Sequence, residues 1–130
     1  MSREYSLISP WKVFVGKRKT FILNINNYRN THFRDLAKAK VNYHAAMFDQ
    51  VQRVPVFQKI RAEFVIFPPT KKKIDTDNVC SIHNKFLLDV LVELNKIPDD
   101  DYRYHIGSTT SFGGIDKGTG HVKVKIIEVK

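Results

Sequence analysis

The sequence predicts a single α+β domain, with a mixed β-sheet and two main helices in the order β-α-β-α-β-β. The 130 residues fit one domain, and their 42% hydrophobic and 27% charged content is close to that of globular proteins. Two long segments with helical spacing of apolar residues alternate with short segments of strand-like spacing. No linker or internal repeat divides the chain, so we expect one domain over residues 1–130.

The first half of the chain predicts a strand, a long helix and a second strand. Residues 19–28 alternate at Phe21, Leu23 and Ile25, which is typical of a half-buried strand, and residues 11–15 predict a short strand before it. Thr31 is the predicted N-cap of a helix that runs to about Arg53. Its predicted apolar face consists of Phe33, Ala37, Val41, His44, Phe48 and Val51. Residues 59–67 then alternate as a strand, which stops at two prolines.

The second half predicts another helix and two more strands. Asp77 or Asn78 is the predicted N-cap, and apolar residues recur at helical spacing as far as Leu94. A short strand is predicted from Tyr102, and residues 121–129 alternate as the last strand. The Gly-rich segment 108–120 between them predicts a mobile hairpin loop. A small sheet with both helices on one face accommodates these elements.

Charge is distributed unevenly along the chain. The net charge is +9, but residues 1–73 alone carry 15 Lys or Arg against four acids, and seven of the 13 acids lie between Asp75 and Asp101. A basic surface of this kind suits a polyanion such as DNA or RNA, although ribosomal, membrane-surface and merely soluble basic proteins share it. A lone cysteine and the lack of a signal sequence or membrane span indicate a soluble cytoplasmic protein.

The acids suggest a metal site within this basic protein. Asp75 and Asp77 are two residues apart in a segment predicted as extended, so their side chains leave the chain on the same side. Residues 99–101 are three consecutive aspartates, and they can return to the first pair only if the following strand lies beside the preceding one. Carboxylates beside lysines are what Mg²⁺ and phosphodiester chemistry need. The alternative is that Asp77 only caps a helix and that residues 99–101 form a solvated turn.

A series of motifs resembles the RusA family of Holliday junction resolvases over roughly residues 20–128. Asn24 and Tyr28 near the first strand are followed by three lysines, a D-x-D-N motif, a helix with K-x-x-x-D, and D-D shortly after that helix. The resemblance implies a small homodimeric endonuclease, often encoded by prophages, that uses Mg²⁺, with Mn²⁺ as a substitute. Its implied substrate is branched DNA, specifically the four-way junction. The implied location is the cytoplasm of a bacterial cell or a phage-infected host.

The same resemblance assigns roles to individual residues. It implies that Asp75, Asp77 and Asp100 bind the metal and, with Lys85, carry out catalysis. It also implies supporting positions around the metal for three further residues: Asn78, Asp89 and Asp99. The basic residues expected to contact DNA are Lys71, Lys72, Lys73 and Arg29.

The helical lysine departs from the family pattern. The family more usually has this Lys about four residues after the second Asp of D-x-D-N, where this chain has Ser81, and Lys85 lies one turn later. Lys85 can occupy the family's position only if the helix is shifted by a turn of 5.4 Å. Lys73 is the alternative source of the charge, and Lys85 is then a surface partner of Asp89.

Two other functions fit the same features. A branched or flap DNA endonuclease would use the same acids and lysines on a different substrate. A non-catalytic DNA-binding regulatory module would use the acids only as helix caps and in salt bridges, and it would bind DNA equally well in EDTA.

Overall fold

The protein is a small α+β domain, as the sequence predicts. A computed structural model describes residues 3–129. The helices are α1 (Ile25–Asn30), α2 (Phe33–Gln52) and α3 (Thr76–Glu93). The strands are β1 (Glu4–Pro10), β2 (Lys12–Phe14), β3 (Thr20–Ile22), β4 (Ile60–Phe67), β5 (His105–Phe112) and β6 (His121–Glu128).

Four strands form one mixed sheet in the order β1-β6-β4-β5, and β2 and β3 form a separate antiparallel pair. β4 is parallel to β5 and antiparallel to β6, so Phe64 lies between Thr110 and Val124. The last two strands are therefore on opposite sides of β4. The prediction that a hairpin loop joins them is wrong, because the chain between them crosses the end of β4.

Both long helices pack on one face of this sheet. Side chains of β4 alternate, with Ile60, Ala62, Phe64 and Ile66 at most 3% exposed on the helix side. Ser9 of β1 is on the same face and hydrogen bonds to Tyr43 of α2 and His83 of α3. Within residues 3–129, no helix combines the length and apolarity needed to cross a membrane.

The amino-terminal region contains more structure than the sequence predicts. β1 was not predicted, and the strand predicted over residues 19–28 is limited to Thr20–Ile22. The side chain of Asn24 accepts a hydrogen bond from the Asn27 N–H at 2.8 Å and thereby caps α1. This cap turns the chain into a helix where apolar alternation predicted a strand.

The buried face of α2 also differs from the predicted one. The helix begins after His32, which caps it in place of Thr31, and it buries Ala39, Tyr43, Met47 and Val51. Of the predicted face only Val51 is in the core, while Phe33 and Val41 are 70% and 67% exposed. Both stripes have helical spacing, and the tertiary packing buries the one that contains Tyr43 and Met47.

The boundaries around β5 are shifted towards the carboxyl end of the chain. Residues 101–104 form a turn closed by the Tyr104 N–H and the Asp101 carbonyl, and the strand begins at His105 rather than Tyr102. β5 then continues to Phe112, through the first five residues of the segment 108–120 that was predicted as a loop. Pairing with β4 makes this Ser- and Thr-rich segment a strand, although its side chains do not have the apolar alternation that identifies buried strands.

A buried histidine predicts a loss of stability in acid. Burial lowers the pKa of His83 to about 3, and its Nδ1 lies 2.6 Å from the Ser9 hydroxyl. In the unfolded chain the pKa is about 6.5, so the unfolded state binds more protons below that pH. Stability is therefore complete above about pH 6.5 and falls by about 1.4 kcal/mol per pH unit below it.

Urea unfolding at pH 7.5 and pH 5.5 measures this effect. We expect the wild type to lose about 1.4 kcal/mol more than His83→Gln over this interval, since the variant does not titrate. Equal losses in the two proteins would show that His83 does not remain neutral in the fold.

Candidate functional site

The D-x-D-N motif forms the amino terminus of α3. Asp75 caps the helix, and its Oδ1 accepts a hydrogen bond from the Asp77 N–H at 3.0 Å. The predicted caps, Asp77 and Asn78, instead lie in the first turn. Both aspartate side chains are exposed, and a helix amino terminus favours negative charge. Capping therefore accounts for one oxygen of Asp75, and the helix dipole favours the carboxylate of Asp77.

A cleft of about 200 Å³ brings this motif together with other polar residues. Lys72 and Lys73 line it beside Asp75 and Asn78, and Asn24 and Asn26 line it from the start of α1. Trp11, Ile74 and Val79 complete its walls. Lysines and amides next to carboxylates can contact a phosphate whose charge the carboxylates alone would repel. The cleft therefore has the composition expected where acids act on a nucleic acid backbone.

The cleft includes residues that the sequence did not mark as functional. Trp11 and Asn26 were not candidates, and Asn24 was noted only as part of the motif series. Asn24 reaches the cleft because it caps α1, which packs against α3. The cap could have been found from the Asn-rich segment 24–30, but its position beside Asp75 depends on tertiary packing.

The second acidic group lies at the other end of α3. This helix has 18 residues and is about 27 Å long at 1.5 Å per residue. β5 does lie beside β4, as convergence of the acids required. The two strands are parallel, however, so β5 begins next to the start of β4, whereas Asp75 follows the end of β4. One chain therefore does not bring Asp100 to Asp75 and Asp77.

The three consecutive aspartates have different surroundings. Asp101 forms two hydrogen bonds with the Arg103 side chain, at 3.0 and 2.8 Å, and these lower its pKa to about 2. Asp99 accepts a hydrogen bond from the Asp100 N–H at 2.8 Å. Asp101 is thus engaged in a local ion pair, while Asp99 and Asp100 are both exposed.

Asp89 and Asp100 act on each other near the carboxyl end of α3. The pKa of Asp89 is raised overall. Burial and the charge of Asp100 raise it, while the charges of Lys40 and Lys85 lower it. Asp100 also acts on His105 at the start of β5, where burial lowers the histidine pKa and the Asp100 charge raises it. Across residues 3–129, no set of three or more His, Cys, Asp or Glu side chains is placed to hold a metal ion.

The two candidate lysines are in different places. Lys73 lines the cleft with Asp75. Lys85 is eight residues beyond Asp77, which is about 12 Å along the helix, and its Nζ lies 5.7 Å from the centroid of the Tyr28 ring. Lys71 is exposed next to the cleft, and Arg29 is exposed in the last turn of α1. Lys72 and Lys73 therefore lie beside the D-x-D-N motif, and Lys71 and Arg29 are not part of the cleft lining.

Comparison of the sequence with protein-family models and with curated proteins finds no match. The resemblance to RusA resolvases thus depends on the motif residues themselves, of which Asn24, Lys72, Lys73, Asp75 and Asn78 meet in one cleft.

Proposed function

We propose that the protein is a Mg²⁺-dependent endonuclease that resolves four-way DNA junctions as a homodimer in the cytoplasm. The observation that carries the proposal is the cleft in which Asp75 and Asn78 of the D-x-D-N motif meet Lys72, Lys73 and Asn24. A site that only stabilised the helix would use Asp75 and Asp77 but would have no need of the adjoining lysines. Cleavage of a synthetic junction in Mg²⁺, and its loss in EDTA, tests the proposal.

In this proposal the acids and the lysines have separate tasks. Asp75 and Asp77 hold Mg²⁺, for which Mn²⁺ is the expected substitute, and Asn78 lines the cleft beside Asp75. Bound Mg²⁺ neutralises charge that develops on the scissile phosphate and favours hydrolysis. Lys71, Lys72 and Arg29 bind neighbouring phosphates, and Lys73 contacts the phosphate beside Asp75.

The third carboxylate must come from elsewhere than the same chain, because Asp100 lies at the far end of α3. In a two-fold symmetric dimer, an element that lies across the axis runs opposite to its copy. Each end of the element is then level with the other end of the copy. Such a dimer can place Asp100 of one chain, with Asp99 and Asp89 behind it, near Asp75 and Asp77 of the other. Two sites related in this way also suit a junction with approximate two-fold symmetry.

The lysines give a test of the site's internal arrangement. We expect Lys73→Ala to lower the single-turnover cleavage rate by at least tenfold, about 1.4 kcal/mol, because a charge beside the scissile phosphate matters most in the transition state. Lys85→Ala and Ser81→Ala should leave this rate nearly unchanged. All three rates are measured with the junction saturated by enzyme. A larger effect of Lys85→Ala than of Lys73→Ala would move the catalytic lysine to α3.

The non-catalytic alternative also has support in the structure, since capping explains Asp75 and the ion pair with Arg103 explains Asp101. Such a protein would bind junctions equally well in Mg²⁺ and in EDTA, and it would not cut the junction in either condition. A branched or flap endonuclease would instead prefer labelled forks or flaps over the four-way junction in a substrate panel.

A further inference from the structure

The two edges of the main sheet are treated differently. At the β1 edge, the Gln50 side chain accepts a hydrogen bond from the Ile8 N–H at 2.7 Å and donates one to the Ile8 carbonyl at 2.9 Å. This side chain occupies the backbone groups that another strand would use. β1 also contains Glu4 and Pro10, and charges and prolines discourage edge pairing.

The β5 edge has none of these protections within its own sequence. The strand HIGSTTSF has eight residues and contains no Lys, Arg, Asp, Glu or Pro. Ile106 and Phe112, near its two ends, are 48% and 56% exposed. In the part of the chain that the structure describes, β5 pairs only with β4. A long, uncharged edge with exposed apolar side chains is a surface for pairing with another strand.

We infer that β5 pairs antiparallel with β5 of a second copy of this chain, about a two-fold axis near Thr109. Identical edges can pair in this way because an uncharged strand places no like charges opposite each other. The inference deepens the proposed function by naming the dimer surface, and only its consequence for the acids rests on that function.

The position of α3 fits the same axis. The helix packs over both β4 and β5. If it is centred between them, it lies two strand spacings, roughly 10 Å, from the α3 of the second copy. That distance is within the range of directly packed helices. On the side of α3 next to the edge, Asn84 accepts a hydrogen bond from the Ser108 hydroxyl of β5 at 3.0 Å.

The axis would also exchange the separated acids. The contact between Asn84 and Ser108 places the middle of α3 level with the middle of β5. Asp77 is then about 10 Å from this level on one side, and Asp89, with Asp100 near it, is about 7.5 Å from it on the other. Rotation by 180° brings Asp100 of the second chain to the level of Asp77. The acids that one chain keeps apart thus become neighbours across the interface.

Sedimentation and cross-linking test the interface without any need for cleavage. Thr109→Lys places two lysines opposite each other in the dimer, while within one chain the new lysine lies beside Glu63. We expect it to weaken dimerisation roughly fivefold or more, whereas the control Ser6→Lys on β1 does not. In a Cys80→Ala background, a cysteine at Ser108, Thr109 or Thr110 should form a disulfide-linked dimer, and Ser6→Cys should not.

Several outcomes would overturn the inference. These are a monomeric wild type at micromolar concentration both free and on a junction, a lack of cross-linking at all three positions, or a dimer that survives Thr109→Lys with its dissociation constant unchanged. If Val41→Glu disrupts that surviving dimer, the interface lies on the exposed side of α2. A cross-linked dimer that never cuts DNA would contradict the proposed function and leave the interface intact.

Mixing two inactive variants tests the exchange of acids. If each site takes Asp77 from one chain and Asp100 from the other, a heterodimer of Asp77→Asn with Asp100→Asn keeps one complete site. We expect the mixture to nick one strand of the junction, although each variant alone is inactive. If the wild type cuts but the mixture stays inactive after verified exchange of subunits, the exchange of acids is wrong.

Discussion

Asp75→Asn is expected to lower the rate of junction cleavage by at least about 100-fold, because the loss of one metal-binding charge removes several kcal/mol of transition-state stabilisation. Asparagine caps helices as well as aspartate does, so α3 should keep its amino-terminal cap. Asp77→Asn and Asp100→Asn should have effects of the same size. Gel assays of cleavage and of binding, on the same junction, separate lost chemistry from lost affinity.

Two matched variants make this result interpretable. Asp75→Ala removes both the charge and the cap, and it should cost about 1 kcal/mol of stability that Asp75→Asn retains. Asp101→Asn removes the neighbouring acid that is paired with Arg103, and it should leave cleavage nearly unchanged. Near-normal cleavage by any two of Asp75→Asn, Asp77→Asn and Asp100→Asn would exclude the proposed set of acids.

The second large effect concerns the salt dependence of binding. Each lysine that neutralises a phosphate contributes about 0.9 to the slope of log K against log salt concentration. Replacing Lys71, Lys72 and Lys73 together by alanine should therefore flatten the slope by up to about 2.7. Binding to the junction is measured between about 50 and 200 mM salt, the range over which phosphate contacts are screened.

The control for this measurement removes lysines from the uncovered face of the sheet. Lys123 and Lys125 alternate with the buried residues of β6 and point away from the helices. Replacing both by alanine should lower affinity only through net charge and leave the slope close to that of the wild type. If this pair flattens the slope more than the triple variant does, DNA binds to the sheet face and not to the cleft.

The fold class and α3 could be predicted because apolar periodicity is a local property of the sequence. β5 was only partly predicted, since its serines and threonines form a strand through pairing with β4. The prediction of the buried face of α2 was wrong for a related reason. Phe33, Ala37 and Val41 recur every four residues, as Ala39, Tyr43 and Met47 do, and only packing against the sheet determines which stripe is buried.

The candidate site was predictable at the level of its residues but not of its geometry. The motif identified Asp75, Asp77 and Asn78, and the structure places Lys72 and Lys73 beside Asp75 and Asn78. The length of α3 could be calculated from the sequence, and it already separates Asp100 from the first pair. Whether β5 would return to that pair depended on its direction, and parallel pairing with β4 takes it to the other end. Strand direction is a tertiary property that no local pattern of residues determines.

The most direct test of the central proposal is cleavage of a synthetic four-way junction by the wild type, with Mg²⁺ and with EDTA. We predict paired, symmetrically placed cuts in Mg²⁺ and none in EDTA, with the junction still bound in both conditions. Binding without cleavage in Mg²⁺ and in Mn²⁺ would contradict the proposal and identify the protein as a DNA-binding module whose acids serve only its structure.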